Sequence, residues 1–339
     1  MSPESPKRTP TIYDVANRAG VSKSLVSLVL HGDPRVSEVK RQAVLLAIEA
    51  LEYRPSRTAQ LLASKYSKTV GVIITEYKNL SYVSVVKGLR EVFDEVGIQV
   101  TLSDLHRRAD FASDPVDAFL AMNVDGIVFI CEPDGLNYKN LDVPSVMIGD
   151  RSSKVPTADL VSNDDNVGMH LVLDHLYSLG HRKIVHITGA GGIAKVRESA
   201  YLEFIASKRL KALVFGQEQP TNEIGGYMAA RELLESGQEF TAIVTANDYM
   251  AAGVWSTFRE AGIRVPQDVS LSGYDNSPIA SDYLLKLTTV DEEGIQVGRR
   301  AAELLLARFS ESKQSKSKQV WVRPSLIIRE STRKPKAKN

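Results

Sequence analysis

Apolar residues near the start of the chain recur at intervals of three and four, which places one hydrophobic face on each of three short segments. The three stripes are Ile12, Val15, Ala16 and Ala19; then Leu25, Val26, Val29 and Leu30; then Val39, Ala43, Ala47, Ala50 and Leu51. Thr11 and Asp14 form a capping-box pattern before the first segment, and Ser22 and Ser37 can cap the other two. The pattern predicts three short helices, the last of them ended by Pro55.

From Val70 onwards, short β-branched runs alternate with helical patterns, which is typical of βαβ units and parallel sheets. The expected strands are 70–74, 98–103, 126–130, 145–148, 183–188, 211–215, 242–246 and 269–273. Helical patterns lie between them at 83–96, 166–179, 225–235 and 250–261. Eight strands fit either one wide sheet or two smaller ones, and spacing alone does not decide between them.

Charge is distributed unevenly along the chain. The 339 residues carry 42 Lys and Arg against 41 Asp and Glu, a net charge of +1. Residues 1–68 hold 11 basic and 6 acidic side chains, a net +5, which leaves −4 for the remainder. The N-terminal segment is therefore the part suited to a polyanion. The single cysteine, Cys131, and the lack of a secretory leader or a membrane-spanning apolar run indicate a cytoplasmic protein without a membrane partner.

Residues 12–30 have the spacing of a helix-turn-helix. Ala16 is small and lies one turn before Gly20, which can adopt the positive φ of a tight turn. Val26 lies where a second helix would pack back onto Val15. A small helical bundle with a solvated basic face is the alternative interpretation.

A recognition helix beginning at Ser22 would present Lys23, Ser24 and Ser27 to base edges. Lys23 can donate to guanine O6 and N7, and Ser24 can donate or accept. Thr11, Tyr13 and the first-turn amides suit phosphate oxygens. The candidate DNA contacts of this segment are Thr11, Tyr13, Ser22, Lys23, Ser24 and Ser27.

A second group of polar residues follows the predicted strands. Asp104, Asp150, Asn247 and Asp275 each come at or just after a strand end, and Arg197 lies beyond the strand at 183–188. Ligands of open α/β sheets bind at the carboxyl ends of strands. Carboxylates, an amide and a guanidinium together can bind a ring of hydroxyls. The competing interpretation is that they are caps and turn residues.

The run from Thr11 to Ser22, followed by Leu25-Val26-Ser27, resembles the headpiece of the lactose/galactose repressor family, and so does 52–55 leading into Ala59 and Leu62. Further family motifs follow in order at 149–151, 179–182, 246–248, 273–275, 287–290 and 329–331. The resemblance implies a homodimeric transcriptional regulator, expected to be a repressor. It would bind a palindromic double-stranded DNA operator on the nucleoid and be switched by a small polar effector, a sugar or related metabolite.

The resemblance also implies an architecture: an all-α helix-turn-helix headpiece and an α/β core of two subdomains with parallel sheets, similar to a periplasmic binding protein. The expected divisions are a disordered N-terminus at 1–10, the headpiece at 11–55, a hinge at 56–68, the core at 69–332 and a basic tail at 333–339. Within the core, the N-subdomain would comprise 69–161 and 291–320, and the C-subdomain 162–290 and 321–332.

Residues 56–64 can form a short helix that is marginal in water. The resemblance implies that two such hinges fold together in the minor groove, with Ala59 in contact and Leu62 as a wedge between base pairs. Arg57 is a further candidate DNA contact. A plain linker is the alternative. Leu28 and Ser56 depart from residues common in the family, so the operator sequence does not carry over.

The resemblance places Arg197, Asn247 and Asp275 in contact with effector and makes Tyr82 the aromatic that covers it. Ser81 and Glu292 are further candidates, alongside Asp104 and Asp150. Leu80-Ser81 replaces a frequent Pro-Phe, and Glu292 stands where Gln is common. These changes reshape the pocket, so the effector cannot be copied from a relative.

Two other classes compete with a regulator. Gly189–Ala194 fits the loose dinucleotide pattern G-x-G-x-x-A, but it does not follow the first strand of the core, and a flexible loop over the effector cleft is the preferred interpretation. His170 and His175 are not on one helical face. We therefore expect neither catalytic residues, nor cofactor, nor metal. A solute-binding protein would share the core but would not carry the headpiece.

Overall fold

The computed structural model describes residues 10–30, 33–53, 67–75, 77, 80–105, 114–139, 141–149, 153–310 and 316–336. The chain divides into two compact units, Met1–Ser67 and Lys68–Asn339. We call the first the headpiece and the second the core.

The described residues of the headpiece form three helices: α1 (Ile12–Ala19), α2 (Lys23–Leu30) and α3 (Glu38–Ala50). The backbone N–H of Thr11 donates to Asp14 Oδ2 at 2.7 Å, which closes the predicted capping box. Gly20 ends α1 at φ 64°, and the N–H of Leu25 donates to Ser22 Oγ at 3.2 Å at the start of α2. The chain therefore turns between α1 and α2 as the sequence pattern predicts.

The apolar core of the headpiece confirms the stripes of α1 and α2 and corrects that of α3. Val15, Val26 and Val44 are fully buried. Val39, which was expected to face the core, is 82% exposed. The buried side of α3 instead runs through Val44 and Ala47, which lie about 140° and about 80° around the helix from Val39, because each residue advances a helix by about 100°.

The described residues of the core form two six-stranded sheets rather than one wide sheet. The first sheet is entirely parallel. Its strands, in spatial order, are β11 (Gln319–Val322), β5 (Asp159–Asn163), β4 (Ser145–Ile148), β3 (Gly126–Ile130), β1 (Thr69–Ile74) and β2 (Gln99–Asp104).

The second sheet is parallel except for its edge strand β12, which pairs antiparallel with β10. Its strands, in spatial order, are β12 (Ser325–Ile327), β10 (Thr288–Asp291), β9 (Ser270–Tyr274), β8 (Ala242–Thr245), β6 (Ile184–Ile187) and β7 (Val214–Phe215). The strand predicted at 211–215 is thus only two residues long. Strands β5, β10, β11 and β12 lie outside the predicted set.

Helices cover the faces of both sheets. They are α4 (Tyr82–Glu95), α5 (Pro115–Ala121), α6 (Asp165–Ser178), α7 (Gly192–Ser207), α8 (Glu223–Glu235), α9 (Asp248–Glu260) and α10 (Gly294–Ser310), with a 3₁₀ turn at Pro278–Ser281. Helices α4 and α10 approach so closely that a Cβ on Gly88 would lie 2.1 Å from the carbonyl oxygen of Ile295. Within the part of the chain described, no helix is long and apolar enough to span a membrane.

The chain passes between the sheets three times. It leaves the first sheet after β5, returns after β10 into α10, and leaves again between β11 and β12. We call the first sheet with α4, α5 and α10 the first subdomain, and the second sheet with α6 to α9 the second subdomain. Because parallel strands end at one edge of each sheet, the strand ends carry the residues of the site described next.

Candidate functional site

The outer face of α1 and α2 carries the predicted DNA contacts. Lys23 and Ser24 are exposed, and Ser27 is half-buried. Tyr13 is 60% exposed, and Lys23 Nζ lies 5.1 Å from the centre of its ring. Tyr13 and Lys23 therefore form one surface, with a phenol and an ammonium side by side. Such a surface offers donors both to phosphate oxygens and to base edges.

Two other headpiece candidates are engaged within the protein. The hydroxyl of Thr11 donates to Asp14 Oδ2 at 2.7 Å, and Ser22 Oγ accepts from Leu25. Both side chains thus stabilise helix starts. Leu28, the departure from the family pattern, is 38% exposed on α2. The hinge candidates Arg57, Ala59 and Leu62 lie outside the described residues, as does Asp150 of the core.

A cavity of about 470 Å³ lies in the core and is lined by both subdomains. The first subdomain supplies the start of α4, the ends of β3 and β4 and the start of α10. The second supplies the loop before α7, the loop before α8, and the ends of β8 and β9. The polar side chains that line the cavity are Thr75, Ser81, Tyr82, Glu132, Asn163, Arg197, Thr221, Asn222, Asn247, Asp275 and Glu292.

Arg197, on α7, forms the floor of this cavity. Its Nε donates to Asp165 Oδ1 at 2.8 Å, and its Nη1 donates to Asp275 Oδ1 at 2.9 Å. Its Nη2 donates to Glu292 Oε1. Its side chain is 4% exposed. One buried guanidinium thus holds three carboxylates that come from separate elements of the fold.

The other side of the guanidinium is also fixed. It lies 3.6 Å from the centre of the Tyr274 ring, and Nη1 donates to the carbonyl oxygen of Ala246 at 2.6 Å. The hydroxyl of Tyr274 in turn accepts from Asn163 Nδ2 at 3.2 Å. Stacking and hydrogen bonds together keep Arg197 in one orientation, which presents Asp275 and Glu292 to the cavity.

Burial sets the protonation of these carboxyl groups. It raises the pKa of Asp275 to about 7, although the charge of Arg197 opposes the rise. It raises the pKa of Glu292 to about 8, helped by repulsion from Asp275 and again opposed by Arg197. Burial lowers the pKa of Arg197, but its three carboxylate neighbours outweigh this and raise it well above the ordinary value. The cluster therefore holds exchangeable protons near neutral pH on its carboxyl groups and none that leave the guanidinium.

Asp275 is held in an unusual backbone conformation. Its φ is 100°, which residues with a side chain rarely adopt. Asp275 comes directly after the last residue of β9, and its N–H donates to the carbonyl oxygen of Val290 at 2.9 Å. Backbone strain of this kind persists where the surrounding structure imposes it and is frequent at binding sites.

Asn247 lines the cavity but also has two structural partners. Its Oδ1 accepts from the N–H of Met250 at 2.8 Å, which caps α9, and its Nδ2 donates to the carbonyl oxygen of Thr221 at 2.9 Å. Both the cap and the ligand interpretation of Asn247 thus have a basis in the structure. The next residue, Asp248, faces inward to Ser277 and Thr289 and supports the strand ends.

Of the remaining effector candidates, some line the cavity and one does not. Ser81 and Tyr82 line the cavity at the start of α4. Asp104 is not among the lining residues. It lies close enough to Tyr82 to affect that residue: burial raises the pKa of Tyr82 most, and Tyr77 and the charge of Asp104 raise it further. The signal that proposed Asp104, a carboxylate at a strand end, does not report which strand end borders the cavity.

Several lining residues were not proposed from the sequence. Glu132 follows β3, Asn163 ends β5, and Thr221 and Asn222 precede α8. The Gly189–Ala194 segment forms part of the cavity wall through residues 190–194. The strand-end pattern points to Glu132, which follows the predicted strand at 126–130, and it would also have pointed to Asn163 if β5 had been predicted. In the part of the chain described, no group of three His, Cys, Asp or Glu side chains is arranged to hold a metal ion.

A helix-turn-helix headpiece followed by a two-subdomain α/β core with a ligand-sized polar cavity defines a DNA-binding transcriptional regulator. Residues 11–56 match the family described as bacterial regulatory proteins, lacI family. Residues 173–332 match the periplasmic binding protein-like domain. The chain belongs to the lacI family.

Similar proteins agree with this assignment. The HTH-type transcriptional repressor PurR of Serratia proteamaculans (strain 568) is 32% identical over 95% of this chain and 96% of its own length. The HTH-type transcriptional regulator GalR of Salmonella typhimurium (strain SL1344) is 29% identical over 96% of each chain. A crystal structure of the Lac repressor dimer bound to operator and the anti-inducer ONPF matches with a TM-score of 0.82 and 27% identity, covering 96% of this chain and 100% of that chain. These relatives are regulators of transcription, not enzymes.

Proposed function

We propose that the protein is a repressor that binds a near-palindromic DNA operator as a homodimer and is switched by a small polar effector in the core cavity. The observation that carries this proposal is the cavity itself: it is lined from both subdomains, in a chain that also holds an exposed Tyr13–Lys23 surface on a helix-turn-helix. The Lac repressor structure, which holds operator and an anti-inducer, supports the same combination.

The switch follows from where the ligand binds. A molecule that touches both subdomains stabilises the arrangement in which both reach it, and it shifts the protein only through that difference in affinity. Movement of one subdomain against the other would change the distance between the two hinge segments of a dimer. The hinge candidates Arg57, Ala59 and Leu62 would then fold on the minor groove or fail to do so.

Exposed apolar side chains on the second subdomain support a homodimer. Tyr283 is 92% exposed and Leu284 is 80% exposed, and Ile224 and Met228 on α8 are also exposed. Burial of such side chains against a second copy would remove apolar area from water. A two-fold dimer also accounts for a palindromic site, because each headpiece would read one half.

The effector contacts we propose are those candidates that line the cavity: Ser81, Tyr82, Arg197, Asn247, Asp275 and Glu292. Asp104 and Asp150 stay weaker candidates. A regulator of this kind acts in the cytoplasm, where it is associated with the nucleoid when bound to DNA.

Fluorescence anisotropy of the full chain on labelled fragments from its own promoter region tests the proposal. We expect tight binding to one fragment, with affinity falling by about 10³-fold or more between about 50 and 200 mM salt as phosphate contacts release counterions. A thermal-shift screen of sugars, polyols and nucleosides then finds the effector by its stabilisation of the folded state. A monomeric chain that binds every duplex equally weakly would contradict the proposal.

A further inference from the structure

We propose that the effector is a cation: an amine-bearing polyhydroxylated compound, such as an amino sugar, whose ammonium group binds between Asp275 and Glu292. This inference rests on the proposed function and narrows the chemical class of its ligand. Neutral sugars and metabolites bearing phosphate or carboxylate are the alternatives.

The charges at the cavity favour a cation. The described lining residues include three carboxylates, Glu132, Asp275 and Glu292, and one positive side chain, Arg197. A fourth carboxylate, Asp165, lies 2.8 Å from Arg197 Nε and takes up part of its charge. When Asp275 and Glu292 are ionised, the described side chains give this site a net negative charge, and its field is strong because the cluster is screened from water.

Hydrogen-bonding capacity points the same way. Arg197 has five N–H donors, and four of them are used in hydrogen bonds to Asp165, Ala246, Asp275 and Glu292. Asp275 and Glu292 each accept through one oxygen, whereas Oδ2 and Oε2 accept nothing from the described residues. The cavity floor therefore offers acceptors in need of donors. An ammonium supplies three donors and a charge, and charge-assisted bonds of this kind are about twice as strong as neutral ones.

An anion would find poor partners at the same place. The guanidinium of Arg197 faces carboxylates in three directions and the ring of Tyr274 on one side. The N–H of Gly192 at the start of α7, a position suited to phosphate, already donates to Glu132 Oε1 at 3.3 Å. A phosphate or carboxylate would have to displace these contacts and would then lie beside like charges.

The protons held by the carboxyl groups of the cluster can be replaced by a bound ammonium group. Asp275 and Glu292 face Arg197 and Asp165, with Tyr274 beneath, and Asp248 adds its repulsion to Asp275. Their carboxyl groups hold protons near neutral pH because burial raises the pKa of both. A bound ammonium supplies the positive charge that a proton supplies in the empty cavity. Binding should therefore release protons and strengthen as pH rises from about 6 to about 7, while the amine itself stays protonated.

Matched compounds on the full chain test this proposal. Thermal shifts are measured with glucosamine, galactosamine and mannosamine, with the corresponding neutral hexoses, and with glucuronate, galacturonate and glucose 6-phosphate. We expect at least one amine to raise the melting temperature and to bind about tenfold or more tightly than its neutral partner in calorimetry, with proton release measured in two buffers. A neutral or acidic member that binds as well as its amine, or a panel in which no amine stabilises the protein, overturns the proposal.

Two variants separate the role of the charge from a loss of structure. Glu292→Gln keeps the shape of the side chain and should lower the affinity for the amine about tenfold, and that for the neutral hexose by a clearly smaller factor. Glu232→Gln removes an exposed charge on α8 and should change neither affinity. Equal weakening of amine and hexose by Glu292→Gln contradicts the proposal. Operator binding by the same samples tests the proposed function separately. If the protein binds its promoter but prefers a neutral sugar, the amine proposal is wrong and the proposed function stands.

Discussion

Glu132 of the first subdomain accepts a hydrogen bond from the N–H of Gly192, the first residue of α7 in the second subdomain, at 3.3 Å. A second bond of this kind joins the N–H of Leu80 to Tyr249 Oη at 3.2 Å. Both cross the cleft that contains the cavity. The described arrangement is thus a closed one, and its closure is stabilised by contacts that the ligand does not make itself.

Loss of the Tyr249 hydroxyl should favour opening of the cleft. Tyr249→Phe leaves the N–H of Leu80 without its acceptor, at a cost of about 0.5–1.5 kcal/mol to the closed arrangement, because Leu80 is partly exposed and water can replace the acceptor. Because a ligand bound by both subdomains needs closure, its apparent affinity should fall several-fold. Calorimetry with the compound found by thermal shift measures the affinity, and small-angle scattering measures the radius of gyration. Tyr227→Phe, which loses an exposed bond to Glu260, is the matched control. Identical affinities for the two variants would exclude this role for Tyr249.

Glu292 should make the stability of the empty protein depend on pH. Its pKa is about 8 in the folded chain against an ordinary 4.5, so the folded state binds more protons between these values. Stability contributed by this group is therefore greatest below pH about 4.5 and falls as pH rises to about 8. Glu292→Gln cannot ionise and should gain about 1–3 kcal/mol relative to the native chain between pH 5 and 8.5.

Urea unfolding at several pH values measures this gain. Glu232→Gln, which removes an exposed carboxylate on α8, is the control variant. If the curves of Glu292→Gln and the native chain stay parallel from pH 5 to 8.5, the carboxyl of Glu292 does not hold the proton.

Lys23 should contribute base preference rather than general affinity. Its ammonium lies beside Tyr13 at the start of α2, where the first residues of a recognition helix reach base edges. Lys23→Ala should cost about 1–3 kcal/mol on the preferred site and relax the preference at one position in each half-site. Binding to a library of operator variants measures both effects. Lys87→Ala removes one charge from the core and should leave the preference intact. A uniform loss on all sequences would make Lys23 a phosphate contact.

Gly20 should be required for its backbone conformation alone. A Cβ at this position would meet nothing within 4 Å, yet φ is 64°. Gly20→Ala should therefore destabilise the headpiece by about 1–2 kcal/mol through strain, whereas Gly20→Asn should cost less because Asn tolerates this conformation. Hydrogen exchange of amides in α1 and α2 reports the local stability. Faster amide hydrogen exchange in the Gly20→Asn variant than in the Gly20→Ala variant would contradict this explanation.

The headpiece and the alternation of the core were predictable because they depend on local pattern. Thr11 with Asp14, Gly20 and the stripes through Val15 and Val26 specify helix starts, a turn and a buried face within a few residues of one another. The stripe of α3 was misassigned since apolar residues lie on more than one side of that helix. Val39 fits a helical spacing as well as Val44 does, and only packing against α1 decides between them.

The cavity floor was only partly predictable. Arg197 and Asp275 follow strands, and that signal proposed them. Nothing local shows that Asp165, in the first turn of α6, lies beside Arg197, because that pair forms only when α6 and α7 pack together. The short strands β11 and β12 were not predicted for a similar reason. Each has four residues or fewer and is defined by its pairing with neighbouring strands.

The last strands of the chain have a consequence for biosynthesis. β11 completes the first sheet at one edge and β12 completes the second, so neither subdomain can close until residues 319–327 have been made. The headpiece helices are synthesised before the core and need no later residue for their own apolar cluster. On the ribosome, the part that reads DNA is thus ready early, and the part that senses a metabolite is finished only after residue 327 has been made.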